Sequence, residues 1–132
     1  MFDFFTVIDD DKARNISPVT LAFVGDAVYS LYVRERLVLS TDYGTGELQK
    51  LTSLSVSAHG QSEYLEKILP LFTEDETEIY KRGRNAKKAT KSKNASVAEY
   101  NRSTGFEAVL GYLYLTGRYK RIEELLSLDY EN

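Results

Sequence analysis

The sequence predicts an all-α domain, and three observations carry that prediction. Apolar residues recur at helical spacing, as in Leu21, Val24, Val28, Leu31 and Leu37. Helix starts are marked by Ser17-Pro18 and by Thr73 followed three residues later by Glu76. Helix ends are marked by Pro70 and by Thr116-Gly117.

The elements follow in order. Ser17 supplies an N-cap and Pro18 a first helical residue without a needed N–H, so a helix runs over 18–39. Ser40-Thr41-Asp42-Tyr43-Gly44 reads as a turn. A second helix covers 47–60 on Leu48, Leu51 and Leu54, and a third covers 62–69 before Pro70. Thr73-Glu74-Asp75-Glu76 has the form of a capping box and starts a helix that runs into Arg82-Gly83-Arg84-Asn85. The stretch 86–94 carries almost no large apolar residue and reads as a loop. A long helix over 96–115 follows, and a last one over 118–128 carries Ile122, Leu125 and Leu126. Length, together with the absence of repeats or linkers, predicts a single domain over 1–132.

Composition bounds the chemistry. There is no cysteine, which excludes disulfides and cysteine-ligated zinc and fits a reducing cytoplasm. Met1-Phe2-Asp3-Phe4-Phe5 has no basic region ahead of its apolar residues, unlike a secretory signal. The longest apolar stretch, 21–33, is short and broken by Asp26, so no membrane span is expected. The formal charge of −3 hides a segregation. Lys81, Arg82, Arg84, Lys87, Lys88, Lys91 and Lys93 form a run without an acid, and the rest of the chain carries a net −10. A local basic patch of this kind can hold phosphates whatever the global charge, although a run of charge is equally compatible with a solvated loop.

Two carboxylates stand out. Asp26 lies in Leu21-Ala22-Phe23-Val24-Gly25-Asp26-Ala27, and Glu107 lies in Phe106-Glu107-Ala108-Val109-Leu110-Gly111. Each is a single acid inside a small, apolar helical stretch, a place that charge avoids unless it is paired or binds something. Small neighbours let two helices approach closely, so facing carboxylates can share a divalent ion that keeps several waters. Such an ion both acidifies water and stabilises the charge that develops in phosphodiester hydrolysis. The competing reading is that each acid pairs with a core base or caps a helix.

The first of these stretches resembles the ribonuclease III signature, a Leu-Glu-Phe-Leu-Gly-Asp-Ser run. The second, Thr104-Gly105-Phe106-Glu107-Ala108-Val109-Leu110-Gly111, resembles that family's Asp-x-x-Glu-Ala-Leu-x-Gly motif. Order and separation match, so the resemblance covers nearly the whole chain and implies an all-α, ribonuclease III endonuclease-domain-like helical bundle. The family usually has Glu at the position of Ala22 and Asp at that of Thr104, and often an acid where Val19 stands. The chain ends at Asn132, with no room for the usual double-stranded-RNA-binding domain. A domain of this kind alone, with Arg82-Gly83-Arg84-Asn85-Ala86-Lys87 ahead of the second motif, resembles the Mini-ribonuclease III subfamily.

The resemblance implies a magnesium-dependent endoribonuclease that cleaves double-stranded RNA, works as a cytoplasmic homodimer and matures the 23S ribosomal RNA precursor. On that reading Asp26 and Glu107 are the catalytic and metal-holding residues. Arg82, Arg84, Asn85, Lys87 and Lys88 contact the RNA backbone, and a ribosomal protein partner compensates for weak binding. Substituting Arg84, Lys87 and Lys88 is expected to raise KM and flatten the salt dependence. Two alternatives remain at this stage. One is a catalytically silent domain of the same fold that binds structured RNA or scaffolds ribosome assembly. The other, a di-iron helical protein, lacks the Glu-x-x-His spacing it needs. Tyr29, Tyr32, Tyr112 and Tyr114 read as core or interface residues. His59 reads as a surface or structural residue, and neither Ser57 nor Ser103 reads as a serine nucleophile.

Overall fold

A computed structural model describes residues 6–88 and 96–128. Its helices are α1 (Asp10–Arg14), α2 (Pro18–Ser40), α3 (Thr45–Val56), α4 (Ala58–Ile68), α5 (Glu74–Asn85), α6 (Val97–Leu115) and α7 (Tyr119–Leu126), with a 3₁₀ turn over Leu69–Leu71. No strand occurs among the described residues.

The bundle is organised around α6. Ser103 to Leu113 is buried at every position except Glu107, so this helix has no solvent face along its middle. A helix apolar all round must be enclosed, and α2, α4 and α5 enclose it, with α1 and α7 against its flanks. Tyr29 of α2 and Tyr64 of α4 pack on Phe106, with ring centroids 5.1 Å and 6.3 Å away in edge-on geometry.

Local signals explain the helix ends. In α5 the Thr73 hydroxyl accepts from the Glu76 N–H at 3.2 Å, and Glu76 accepts from the Thr73 N–H at 2.9 Å, completing the box. Ser96 and Glu99 repeat the arrangement at the start of α6. The end of α6 is a left-handed Gly117 (φ 76°), with Arg118 N–H donating to Leu113 O and Gly117 N–H to Tyr114 O.

Three expectations need correction. Ser17 makes no side-chain capping bond, so Pro18 alone marks the start of α2. The break between the second and third helices falls at Ser57, which caps α4 through Gly60 N–H at 3.0 Å, rather than at Gly60. A Cβ on Gly60 would sit 2.3 Å from Leu54 O, so this glycine allows a tight α3–α4 corner and does not end a helix. The short α1, capped by Asp9, was not expected at all. Residues 86–88 are outside any helix as foreseen, and the remainder of the expected loop lies outside the described residues.

Candidate active site

Asp26 and Glu107 lie on α2 and α6, which cross at glycine. A Cβ on Gly25 would stand 1.7 Å from the carbonyl oxygen of Glu107, and one on Gly111 would stand 1.9 Å from that of Leu21. No side chain separates the two backbones, and side chains next to the crossing are forced together. The carboxyl groups of Asp26 and Glu107 accordingly stand side by side on one cavity, close enough for each to feel the other's charge. Asp26 is exposed and Glu107 partly buried, which corrects the expectation that both charges are enclosed. Burial comes first and the neighbouring Asp26 second in pushing the Glu107 carboxyl up to about 9, while the Gln61 amide pulls it modestly the other way. A carboxyl raised that far is protonated at neutral pH.

The pair faces a cavity of about 390 Å³ whose walls include Ala22, Gln61, Lys88, Tyr100 and Thr104. Ala22 and Thr104 contribute no charge, and the hydroxyls of Ser103 and Thr104 both donate to the carbonyl of Tyr100. Gln61 Nε2 donates to Val56 O at 2.9 Å and to Glu107 Oε2 at 3.1 Å. Its Oε1 is buried without a hydrogen-bond partner. Besides the two acids, the polar side chains lining the cavity are Gln61, Lys88, Tyr100, Ser103 and Thr104, so its donors are oxygens and nitrogens, of the kind a hard divalent ion takes and a soft one does not. Among the described residues no group of three or more His, Cys, Asp or Glu converges.

The basic residues divide. Lys88 reaches the cavity, where its ammonium donates to Gly83 O at 2.8 Å and Arg84 O at 2.9 Å, closing the C-terminus of α5. Burial lowers its pKa. Arg84 stacks over Tyr80 at 5.6 Å and donates to Asn85 Oδ1 at 3.1 Å. Lys87 and Asn85 are exposed. Arg82, half-buried, donates to the carbonyl of Arg14 at 3.0 Å. His59 is exposed at the surface, paired with Glu63 at 2.7 Å and with Glu99. Tyr29 and Tyr112 are core residues, Tyr112 bonding Asp10 and Arg118.

Sequence reasoning passed over Gln61 and Tyr100. A signal for Gln61 did exist, since it opens the inward stripe of α4 ahead of Tyr64, Leu65 and Ile68 at helical spacing. A polar residue at an apolar position is the informative kind of exception.

The bundle that carries these two acids is that of a known family, whose model, described as Ribonuclease III domain, matches residues 19–118. A protein from a Thermoanaerobacter species named Mini-ribonuclease 3 is 44% identical over 123 residues, covering 93% of this chain and 87% of its own length. A Streptococcus pneumoniae protein of the same name is 46% identical over 114 residues, covering 85% of this chain and 89% of its own. A crystal structure of a Fusobacterium nucleatum protein superposes with a TM-score of 0.78 at 31% identity, covering 89% of this chain and 93% of that one. The chain belongs to the ribonuclease III family, in its Mini-ribonuclease 3 branch. It is an endoribonuclease of the ribonuclease III type.

Proposed function

We propose that this chain is a magnesium-dependent endoribonuclease that cleaves double-stranded RNA and matures the 23S ribosomal RNA precursor. The observation that carries the reading is the α2–α6 crossing, which sets the Asp26 and Glu107 carboxyls together on one open cavity. A bound divalent ion supplies a Lewis acid that acidifies water and stabilises charge building on the phosphate. The remaining chemistry belongs to the chain. Asp26 and Glu107 hold the ion, and Glu107 gives up its proton to do so. Lys88, within the same cavity, is placed to exchange its helix-capping bonds for a phosphate oxygen. Arg84, Asn85 and Lys87 continue the contact along the backbone, the surface through which duplex RNA is mainly recognised.

The active form is a homodimer in the cytoplasm, with a ribosomal protein assisting on the precursor. Support for a second copy comes from α2, where Phe23, on the wall of the cavity that holds the carboxylates, is 80% exposed and Leu31 67% exposed. Large apolar side chains left open on one helix are favourably covered by a partner, and two-fold symmetry gives one site for each strand of a duplex. No helix of the described residues is long and apolar enough to cross a membrane.

The test is a gel assay on a long RNA duplex and on 23S precursor, with magnesium or EDTA, beside Asp26→Asn and Glu107→Gln. Cutting that requires magnesium and disappears in both variants is the expected result. A folded, dimeric wild type that binds but cuts neither RNA would replace the reading with a silent RNA-binding scaffold.

A further inference from the structure

Gln61 is 2% exposed, on the inward stripe of α4. An amide so enclosed is costly unless its polar atoms are bonded. Both donations of Nε2 are made, to Val56 O and to Glu107 Oε2, while Oε1 has no partner in the protein. These bonds fix which way the amide faces. The carbonyl of Val56 can only accept, so turning the amide over would set Oε1 against that carbonyl and leave the carbonyl without its donor. Val56 is the last residue of α3, where backbone carbonyls lack helical partners, so Gln61 is tied to the main chain and not to another mobile side chain. Three residues on, Tyr64 packs against Phe106, the neighbour of Glu107. Both ends of the Gln61–Glu107 bond therefore stand on backbone held by ring packing. The side chain satisfies Glu107 while leaving its own oxygen unbonded, which purely structural amides rarely do.

We infer that Gln61 is the positioning residue for the metal-holding carboxylate, gripping Glu107 Oε2 so that the rest of that carboxyl group faces Asp26. The inference rests on the reading above that Asp26 and Glu107 hold the ion. Ala22 and Thr104, on the same cavity wall, offer no charge that could orient Glu107 instead. Outer hydrogen bonds to metal-holding carboxylates set ligand geometry, and their removal commonly costs 10–100-fold in metal affinity.

The experiment titrates manganese or magnesium into RNA-free protein, following free manganese by electron paramagnetic resonance or magnesium by calorimetry. Wild type, Gln61→Leu and Glu107→Gln are compared, with thermal unfolding as the control for folding. Glu107→Gln loses binding, and Gln61→Leu weakens it about 10–100-fold. In cleavage, the Gln61→Leu defect shifts the magnesium requirement, so that saturating magnesium restores kcat with KM for RNA unchanged. A merely structural role instead lowers kcat at every magnesium concentration, and that result overturns the inference. Wild-type affinity in Gln61→Leu, with binding lost in Glu107→Gln, also overturns the positioning role and leaves the metal site standing. Unchanged affinity in Glu107→Gln removes the metal site and this inference with it. If Gln61→Leu does not fold, Gln61→Met, unbranched and of similar volume, decides by the same titration.

Discussion

Replacing Gly25 by alanine sets two effects of opposite sign against each other. In an open helix, alanine is better than glycine by about 1 kcal/mol. At Gly25 the added carbon would lie 1.7 Å from the Glu107 carbonyl oxygen, 2.6 Å from its carbon and 2.9 Å from Gly111 N. Reaching ordinary contact requires α2 and α6 to part by roughly 1.5–2 Å. Overpacking costs about 1–3 kcal/mol where side chains can shift. Here every opposing atom is backbone, so the cost lies at or above the top of that range. The net loss is therefore at least about 2 kcal/mol, or a fall in Tm of about 6 °C or more for a domain of this size. Thermal unfolding by circular dichroism measures it. Gly46→Ala is the control: it lies in α3 with nothing within 4 Å of the added carbon, so it should gain stability. Because the strained contact is Glu107's own carbonyl, folded Gly25→Ala should also lose cleavage at low temperature. A Gly25→Ala protein as stable as wild type would refute the reasoning, since it would mean that backbone contact does not set the helix separation.

Other consequences can be measured directly. Arg121 pairs with both oxygens of Glu76 at 2.8 Å, and Glu76 is 3% exposed. Arg121→Ala strands that buried charge and should cost about 3–5 kcal/mol in denaturant unfolding. A loss under about 1 kcal/mol would mean that water reaches Glu76. The Glu107 carboxyl sits at about 9 when folded, above its ordinary range, so its contribution to metal-free stability is complete at acid pH and is lost as pH rises toward 9. The metal-free Tm should fall from pH 5 to 9, and Glu107→Gln should flatten that fall; equal slopes would refute it. Arg84→Ala and Lys87→Ala should each lower the salt slope of duplex binding by about one, while Arg82→Ala should cost stability and leave the slope unchanged. A slope change in Arg82→Ala would place it on the RNA instead.

The sequence made the carboxylates visible because a charge inside a small, apolar helical stretch is anomalous whatever the fold. The glycines beside them implied close helices, and Gly25 and Gly111 do sit at the crossing. Gln61 escaped because an amide carries no charge to mark it, and its partners lie in α3 and α6, where no local pattern points. Arg82 was grouped with its basic neighbours by charge alone, yet its acceptor is a backbone carbonyl 68 residues away. The boundary at Ser57 was missed for a related reason. Glycine at 60 reads as a terminator in one dimension and as a spacer between two carbonyls in three. The five residues of α1 are too few to show a period, and its visible signal was the capping acid Asp9.

The glycine crossing also bears on how this molecule opens. Where two helices meet main chain to main chain, no side chain can swing aside to admit solvent. Amides of α2 and α6 around Gly25 and Gly111 should then exchange their hydrogens for deuterium only through global unfolding, at the full free energy of the fold. The last turn of α5, closed by the single side chain of Lys88, should exchange through local fraying at much lower cost. A deuterium map would thus divide the enzyme into a floor that never loosens while the protein is folded and a rim free to adjust to each duplex.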